Sequence, residues 1–315
     1  MIAVRRVVVV GAGAGGAELA RILAQAGLQT MVFDPDPDVA DRVAHVLHAT
    51  AARYVGAVDQ VGPIDAVLIA EPLIDPDVFG QSALIASCSP NAPQKHMSFL
   101  PVAPVHLRPL VEIRACDGQD SSVAFDLARQ LQKVPILAPQ SGWSLATRLI
   151  FALNDAATRL VLMGAVPHEV DEAMVAFGFD LGVFEAQDLI GLDVGYVLRR
   201  DRGDKPAHWA IPDRMVEEGR LGHKASVGWY RYPGGGGAVI DPLVEDLARE
   251  EAWFAGCSTR DVSGDEIIET VLAALRAEGK NILDQDLASD VEQINQISTL
   301  GLGYPVAQPG LMTSA

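Results

Sequence analysis

The chain of 315 residues is 49% hydrophobic and 21% charged, enough apolar content to bury a core and enough length for two or three domains. Its 41 acidic against 24 basic residues leave a net charge of −17, a field that repels polyanions and argues against a nucleic-acid or anionic-membrane partner. Cys88, Cys116 and Cys257 lie far apart, form neither a CxxC pair nor a metal-binding spacing, and read as reduced thiols of a cytoplasmic chain with no metal site.

The opening "MIAVRRVVVVGAGAGG" has the basic-then-apolar order of a secretory leader, but glycines interrupt the apolar run early and no cleavage pattern follows. "VVVV" (7–10) is β-branched and fully apolar, as a central parallel strand covered on both faces should be. "GAELARILAQAGL" carries helical periodicity and ends with a C-cap signal at Gly27. "QTMVFD" reads as a second strand, "VADRVAHVLHATAARY" (39–54) as a helix, "DAVLIAEP" as a third strand and "ALIASCS" as a fourth. "LVEIRA" and "VPILAP" add two strands around the helix "SSVAFDLARQLQ". This alternation predicts an α/β, Rossmann-like, doubly wound parallel sheet. No run is long and apolar enough to span a membrane.

Beyond Gly142 the strand signal fades and helices are expected over 144–163, 167–176, 184–200, 240–254 and 264–283. The expected organisation is a dinucleotide-binding domain over 1–140, a helical domain over 141–232 and a second one over 233–315, with "PGGGGA" (233–238) as the linker. "ATRLVLMGAVPHEVDEAMVAFGFDLGVF" and "VLAALRAEGKNILDQDLASDVEQINQISTLGLGYPV" share a helix, a polar turn, a V-[DE]-x-x-[MI] segment and a Gly-aromatic near the end. The C-terminal region therefore reads as internally duplicated.

Gly11, Gly13 and Gly16 form G-x-G-x-x-G between a strand and a helix. The first glycine turns tightly, the second lets backbone approach a pyrophosphate, and the third lets helix and strand pack closely. Alone the motif is weak. It is joined here by Asp34, 23 residues after Gly11 at the end of the second strand, where a carboxylate accepts from ribose hydroxyls. The constellation points to NAD rather than NADP, because a 2′-phosphate would meet the charge of Asp34. Glu18, in the helix that follows, is expected to point to solvent.

The segments "VVVVGAGAGGAELA", "APVHLRPLVEI", "KVPILAPQSGW", "EVDEAMVAFGFDLGVFEAQDLIGLDVGY", "RLGHKASVGWYRY" and "GLGYPVAQPG" resemble the 3-hydroxyacyl-CoA dehydrogenase family, specifically the dehydrogenase half of bacterial fatty-acid β-oxidation multifunctional enzymes. The resemblance implies hydride transfer between NAD and a 3-hydroxyacyl or related 3-hydroxy substrate, a small molecule with acyl-CoA among the candidates. In the family a histidine of a His-Phe-Phe-Asn-Pro loop takes the substrate's hydroxyl proton, and a glutamate in the following Leu-Val-Glu strand orients it. Glu112, in "LVEI", matches that glutamate. Counted back without gaps, the loop becomes "LPVAP", which puts Leu100 at the histidine's place and Ala103 at the asparagine's. His96 is the alternative base if "MSFL" is an insertion, whereas His106 reads as structural.

Further departures accompany this one. The Ser/Thr-rich turn after the fourth strand reads "SCSPNAP", with Pro90 at its key place, and Thr147 stands before Arg148 where the family has asparagine. Only 30 residues separate Asp34 from Asp65, too few for the helical hairpin that helps hold CoA. Lys224 and Glu185 match residues that shape the family's helical domain, and Trp229 with Tyr230 reads as packing. Three functions stay open: a dehydrogenase of this type with its base displaced or replaced, a dinucleotide-binding homologue without turnover acting as partner subunit or sensor, and an oxidoreductase on a small non-CoA substrate. Two helical copies in one chain imply an internal pseudo-dimer, and hence a monomer or weak homodimer.

Overall fold

A computed structural model of the chain describes residues 4–39, 47, 50–80, 82–91, 96–115, 118–140, 142–203 and 205–313. They fall into two compact units, residues 1–147 and 148–315. The expected first boundary falls a few residues earlier than this division, and the second unit holds the expected helical domains from residue 148 onward.

The first unit is an eight-stranded sheet built from β1 (Arg6–Val10), β2 (Gln29–Phe33), β3 (Arg53–Val55), β4 (Ala66–Ile69), β5 (Leu84–Ser87), β6 (Met97–Pro101), β7 (Leu110–Ala115) and β8 (Val134–Pro139), in the order β3-β2-β1-β4-β5-β6-β7-β8. β1 pairs in parallel with β2 and with β4, so the chain winds to one side of β1 and then returns to the other. The parallel arrangement continues through β6, and β7 runs antiparallel to β6. The sheet is thus doubly wound and mostly parallel.

Alternation along β1 explains its unbroken valine run. Val7 and Val9 enter the apolar layer beneath α1 (Ala14–Gln25) and α2 (Ser122–Gln130), with Leu19, Leu23 and Leu127. Val8 and Val10 enter the opposite layer with Phe33 and Phe79, whose rings meet edge to face at 5.5 Å. A strand buried on both faces has no polar side to show.

Two strands arise where other structure is expected. The helix expected over 39–54 lies largely outside the described residues, but its last residues form β3, paired with β2. β6 forms where a loop is expected: Leu100 sits on a strand, and the connecting loop begins after Pro101.

The second unit is helical, with α3 (Leu145–Leu162) entering it, followed by α4 (Pro167–Phe177), α5 (Val183–Ile190), α6 (Leu192–Arg202), α7 (Ala210–Glu217), α8 (Pro242–Phe254), α9 (Gly264–Asp284) and α10 (Val291–Ile297). The single helix expected over 184–200 is two, because Gly191 takes φ +102 and ends the first. A two-stranded ribbon, β9 (Tyr230–Arg231) with β10 (Val239–Ile240), flanks the glycine run.

Candidate functional site

In open α/β sheets ligands bind beyond the strands' carboxyl ends where the winding reverses. Here that place lies between the ends of β1 and β4, and it holds the glycine loop. Gly11 has φ +95, and a Cβ there would lie 2.6 Å from the Cβ of Glu71. A Cβ on Gly16 would run into the Gly11 carbonyl, so the third glycine is required for α1 to leave β1 at this angle. The described residues thus fit the close backbone approach that a pyrophosphate needs. Asp34, 4% exposed, closes the site: one carboxylate oxygen accepts from the Ala12 N–H at 2.9 Å and the other from the Asp36 N–H at 3.0 Å.

Sequence reasoning missed Glu71. It follows β4, and its backbone N–H donates to the Val10 carbonyl at 3.0 Å. Its side-chain Oε1 accepts from the Gly13 N–H at 2.9 Å, against the face of the second glycine. Only strand order makes it visible, since nothing in "IAEP" says that this strand lies beside β1.

Glu18 corrects an expectation. It is partly exposed, 29%, but pairs with Arg21, at 2.7 Å, and His106 Nδ1, at 3.4 Å. Burial opposes its charge, but Arg21 and His106 outweigh that and hold its carboxyl below the usual range. The loop carrying His106 is pinned by Lys133, whose Nζ donates to the carbonyls of Val105 (2.5 Å) and Arg108 (2.7 Å).

Glu112 is fully buried on β7, and both its oxygens serve the start of α3: Oε1 accepts from the Leu145 N–H at 3.0 Å and Oε2 from the Ala146 N–H at 3.1 Å. Ser144 completes the cap. Its Oγ accepts from the Thr147 N–H at 3.1 Å and donates to Thr147 Oγ1 at 2.7 Å, while its own N–H donates to the Pro90 carbonyl at 3.0 Å. Three of the four orphan donors of a helix start are thereby satisfied. The sequence signal for this was a serine just before a helical run.

Opposite Glu112, in register on β6, stands Leu100, 6% exposed. Directly opposed side chains share a face of the sheet, so Leu100 holds the position from which an imidazole would reach Glu112. His96 lies four residues earlier, about 13 Å back along extended chain, and its carbonyl accepts from Gln140 Nε2 at 2.6 Å. The structure brings Glu112 and Thr147 to one helix start and leaves His96 away from them.

Arg114, 1% exposed, is the buried cation of this region. Its Nη1 donates to the Gly142 carbonyl at 2.7 Å and its Nη2 to Ser98 Oγ at 3.4 Å, and Nε finds no acceptor among the described residues. Burial pushes the Glu112 carboxyl up, against the pull of the Ala146 and Leu145 N–H groups and of Arg114. Burial likewise lowers Arg114, which Glu112 opposes.

In the helical unit the aromatic motif is structural. Asp188 accepts from the backbone N–H groups of Trp229 and Tyr230 and from Tyr232 OH, each at 2.9 Å. Trp229 is buried against Phe184, ring centroids 4.2 Å apart. Asp171 accepts from the N–H groups of Phe184 (2.9 Å) and Glu185 (3.0 Å) and from Tyr230 OH (2.8 Å). Lys224 pairs with Asp193 at 2.6 Å. Among the described residues no cluster of His, Cys, Asp or Glu could hold a metal ion, and no helix is long and apolar enough to cross a membrane.

Residues 145–232 match the model of the 3-hydroxyacyl-CoA dehydrogenase C-terminal domain. The chain is 33% identical over 231 residues to the peroxisomal bifunctional enzyme of Danio rerio, covering 67% of this chain and 32% of that protein. It is 26% identical over 328 residues to the human peroxisomal bifunctional enzyme, covering 90% of this chain and 45% of that one. It therefore spans less than half the length of these curated relatives. Among solved structures, 3-hydroxybutyryl-CoA dehydrogenase from Escherichia coli superposes with a TM-score of 0.67 at 17% identity, over 97% of this chain and 91% of that one. The dehydrogenase part of multifunctional enzyme 1 from C. elegans gives 0.66 at 18%, over 97% and 80%; at such identities the likeness is one of fold. The matched domain, the relatives and the shared architecture agree that the chain belongs to the 3-hydroxyacyl-CoA dehydrogenase family.

Proposed function

We propose that the chain is an NAD(H)-binding oxidoreductase of the 3-hydroxyacyl-CoA dehydrogenase type, moving a hydride between NAD and a 3-hydroxyacyl or related small 3-hydroxy substrate without the family's loop histidine. The observation that carries the reading is the nucleotide seat: three glycines without room for a Cβ at Gly11 and Gly16, and Asp34 fixed beside them by the Ala12 N–H. Gly11, Gly13 and Gly16 would hold the pyrophosphate and Asp34 the adenosine ribose, and the bound nicotinamide would supply the hydride. The family's curated members are named for peroxisomal and fatty-acid oxidation enzymes, which supports a place in β-oxidation-type chemistry. His96 and Thr147 are the remaining side chains from which a proton acceptor or a hydroxyl contact would be drawn.

A second reading is favoured by one specific observation. Both oxygens of Glu112 cap α3, and Leu100 occupies the facing position. Losing a general base commonly costs roughly 10²–10⁴-fold in rate, so a chain of this geometry also suits a dinucleotide-binding partner subunit or sensor that does no chemistry. NADH oxidation with acetoacetyl-CoA, at high enzyme concentration, separates the two. Turnover that falls in both His96→Ala and Glu112→Gln supports a working dehydrogenase with a relocated base. No turnover in a preparation that binds NADH supports the sensor, or an enzyme whose substrate is not a CoA ester. Leu100→His adds a third arm, because it places an imidazole opposite Glu112 and is expected to raise the rate if only the base is missing.

A further inference from the structure

The glycine loop already carries an anion, and it belongs to the chain. Glu71 Oε1 accepts from the Gly13 N–H at 2.9 Å, at the glycine where backbone is bared for a phosphate. The same side chain covers the neighbouring turn, with its Cβ and Cγ 2.6 and 2.9 Å from where a Cβ on Gly11 would stand. This is no chance approach of a surface side chain. The Glu71 backbone is fixed at the point where the sheet's winding reverses, its N–H bonded to the Val10 carbonyl (3.0 Å) and its carbonyl accepting from the Leu73 N–H (2.8 Å), and Pro72 follows directly. Only side-chain torsions are left to move it off the seat.

We propose that Glu71 is a built-in competitor for the phosphate seat, so that a dinucleotide binds only by rotating this carboxylate away from the Gly13 N–H. The charge and the donor both argue for exclusion. A pyrophosphate cannot share one N–H with a carboxylate, and two anions held a few ångströms apart in a half-buried site repel. Helix N-termini select anions by class, and a carboxylate meets the same requirement as a phosphate oxygen. The competition tunes affinity downward while leaving the fold of the loop intact. The inference rests on the reading that this loop is a dinucleotide seat.

The test is NADH binding, followed by nicotinamide fluorescence and by calorimetry, in the natural protein and in Glu71→Ala, Glu71→Gln and Glu71→Asp. Competition predicts that Glu71→Ala binds on the order of tenfold more tightly or better. Glu71→Gln should be intermediate, since its amide oxygen still accepts from Gly13 without the charge, and Glu71→Asp should tighten because its shorter chain falls short of the N–H. A readout without ligand accompanies these: the Gly13 amide resonance should move in Glu71→Ala relative to the natural protein. Equal or weaker NADH binding by Glu71→Ala overturns the competition and leaves the dinucleotide reading standing. Absence of NADH binding in every variant, with the Gly13 resonance shifted in Glu71→Ala, overturns both.

Discussion

Glu112 shows how one buried carboxylate can hold the start of a helix. Leucine stands in register across the strand pair, and the carboxylate accepts from the N–H groups opening α3. Glu112→Gln keeps the volume but offers one acceptor where two are needed, and sets an NH2 against a backbone N–H. It is expected to destabilise the protein by about 1–3 kcal/mol, the cost of a buried donor left unmet, measured as a lower urea midpoint with an unchanged slope. The same residue scale governs the glycine loop. Gly16→Ala would drive a methyl into the Gly11 carbonyl, so it should cost at least as much as overpacking a core, about 1–3 kcal/mol, and abolish NADH binding as well as lower the unfolding midpoint. Asp34 and the three glycines were legible in the sequence because their spacing is dictated by one strand–turn–helix unit. Glu71 was not, because its neighbour in space is 58 residues away and the contact depends on strand order.

Among the elements, helices were read well where periodicity was long, as in α3, α4 and α9, and less well where one residue overrides it. Gly191, at φ +102, splits an apparently continuous helix. β6 was missed because a five-residue strand, its first four residues buried and its last a proline, is too short to show a period, and the same run matches a loop. The aspartates that tie helices to turns give this scale its pH dependence. Burial raises the carboxyls of Asp171 and Asp188 to about 6, against the pull of their N–H and tyrosine donors. Each therefore binds its proton more tightly when folded. Its contribution to stability is complete below the ordinary value of 3.8 and is lost as pH rises through about 6. Asp155 behaves oppositely: burial opposes its charge, but His208, Arg202 and Trp209 prevail and hold it low, so its contribution is lost only as pH falls. Carbon-detected titration should find Asp171 and Asp188 with midpoints near 6 and Asp155 below the usual carboxylate range; midpoints for the first two at the ordinary carboxylate value would contradict a burial-driven rise.

At the scale of the molecule, the two segments whose pattern reads as a duplication meet within the second unit. Gly178 and Gly303, the glycines of the two Gly-aromatic pairs, both take positive φ, and the aromatics that follow them meet, Phe179 and Tyr304 packing edge to face at 5.8 Å. Arg148, on α3 ahead of the first segment, pairs with Glu278 of the second at 2.6 Å. A chain that closes this face on itself should run as a monomer or weak dimer, and sizing with light scattering across a hundredfold dilution checks it. NADH at about a hundred times its dissociation constant should add about 2.7 kcal/mol of stability, seen as a rise in the first unit's unfolding temperature. The Phe179–Tyr304 contact carries a consequence for how such a protein changes over time. At the two-fold interface of a homodimer every substitution is felt twice, and both sides must tolerate it. In this chain the halves are written separately, so each position is free to drift alone. The two rings differ in what they can do: Tyr304 donates to the Pro309 carbonyl at 2.9 Å, a bond that Phe179 has no hydroxyl to make. The contact is a division of labour, one ring for packing and the other for holding the turn at Pro309.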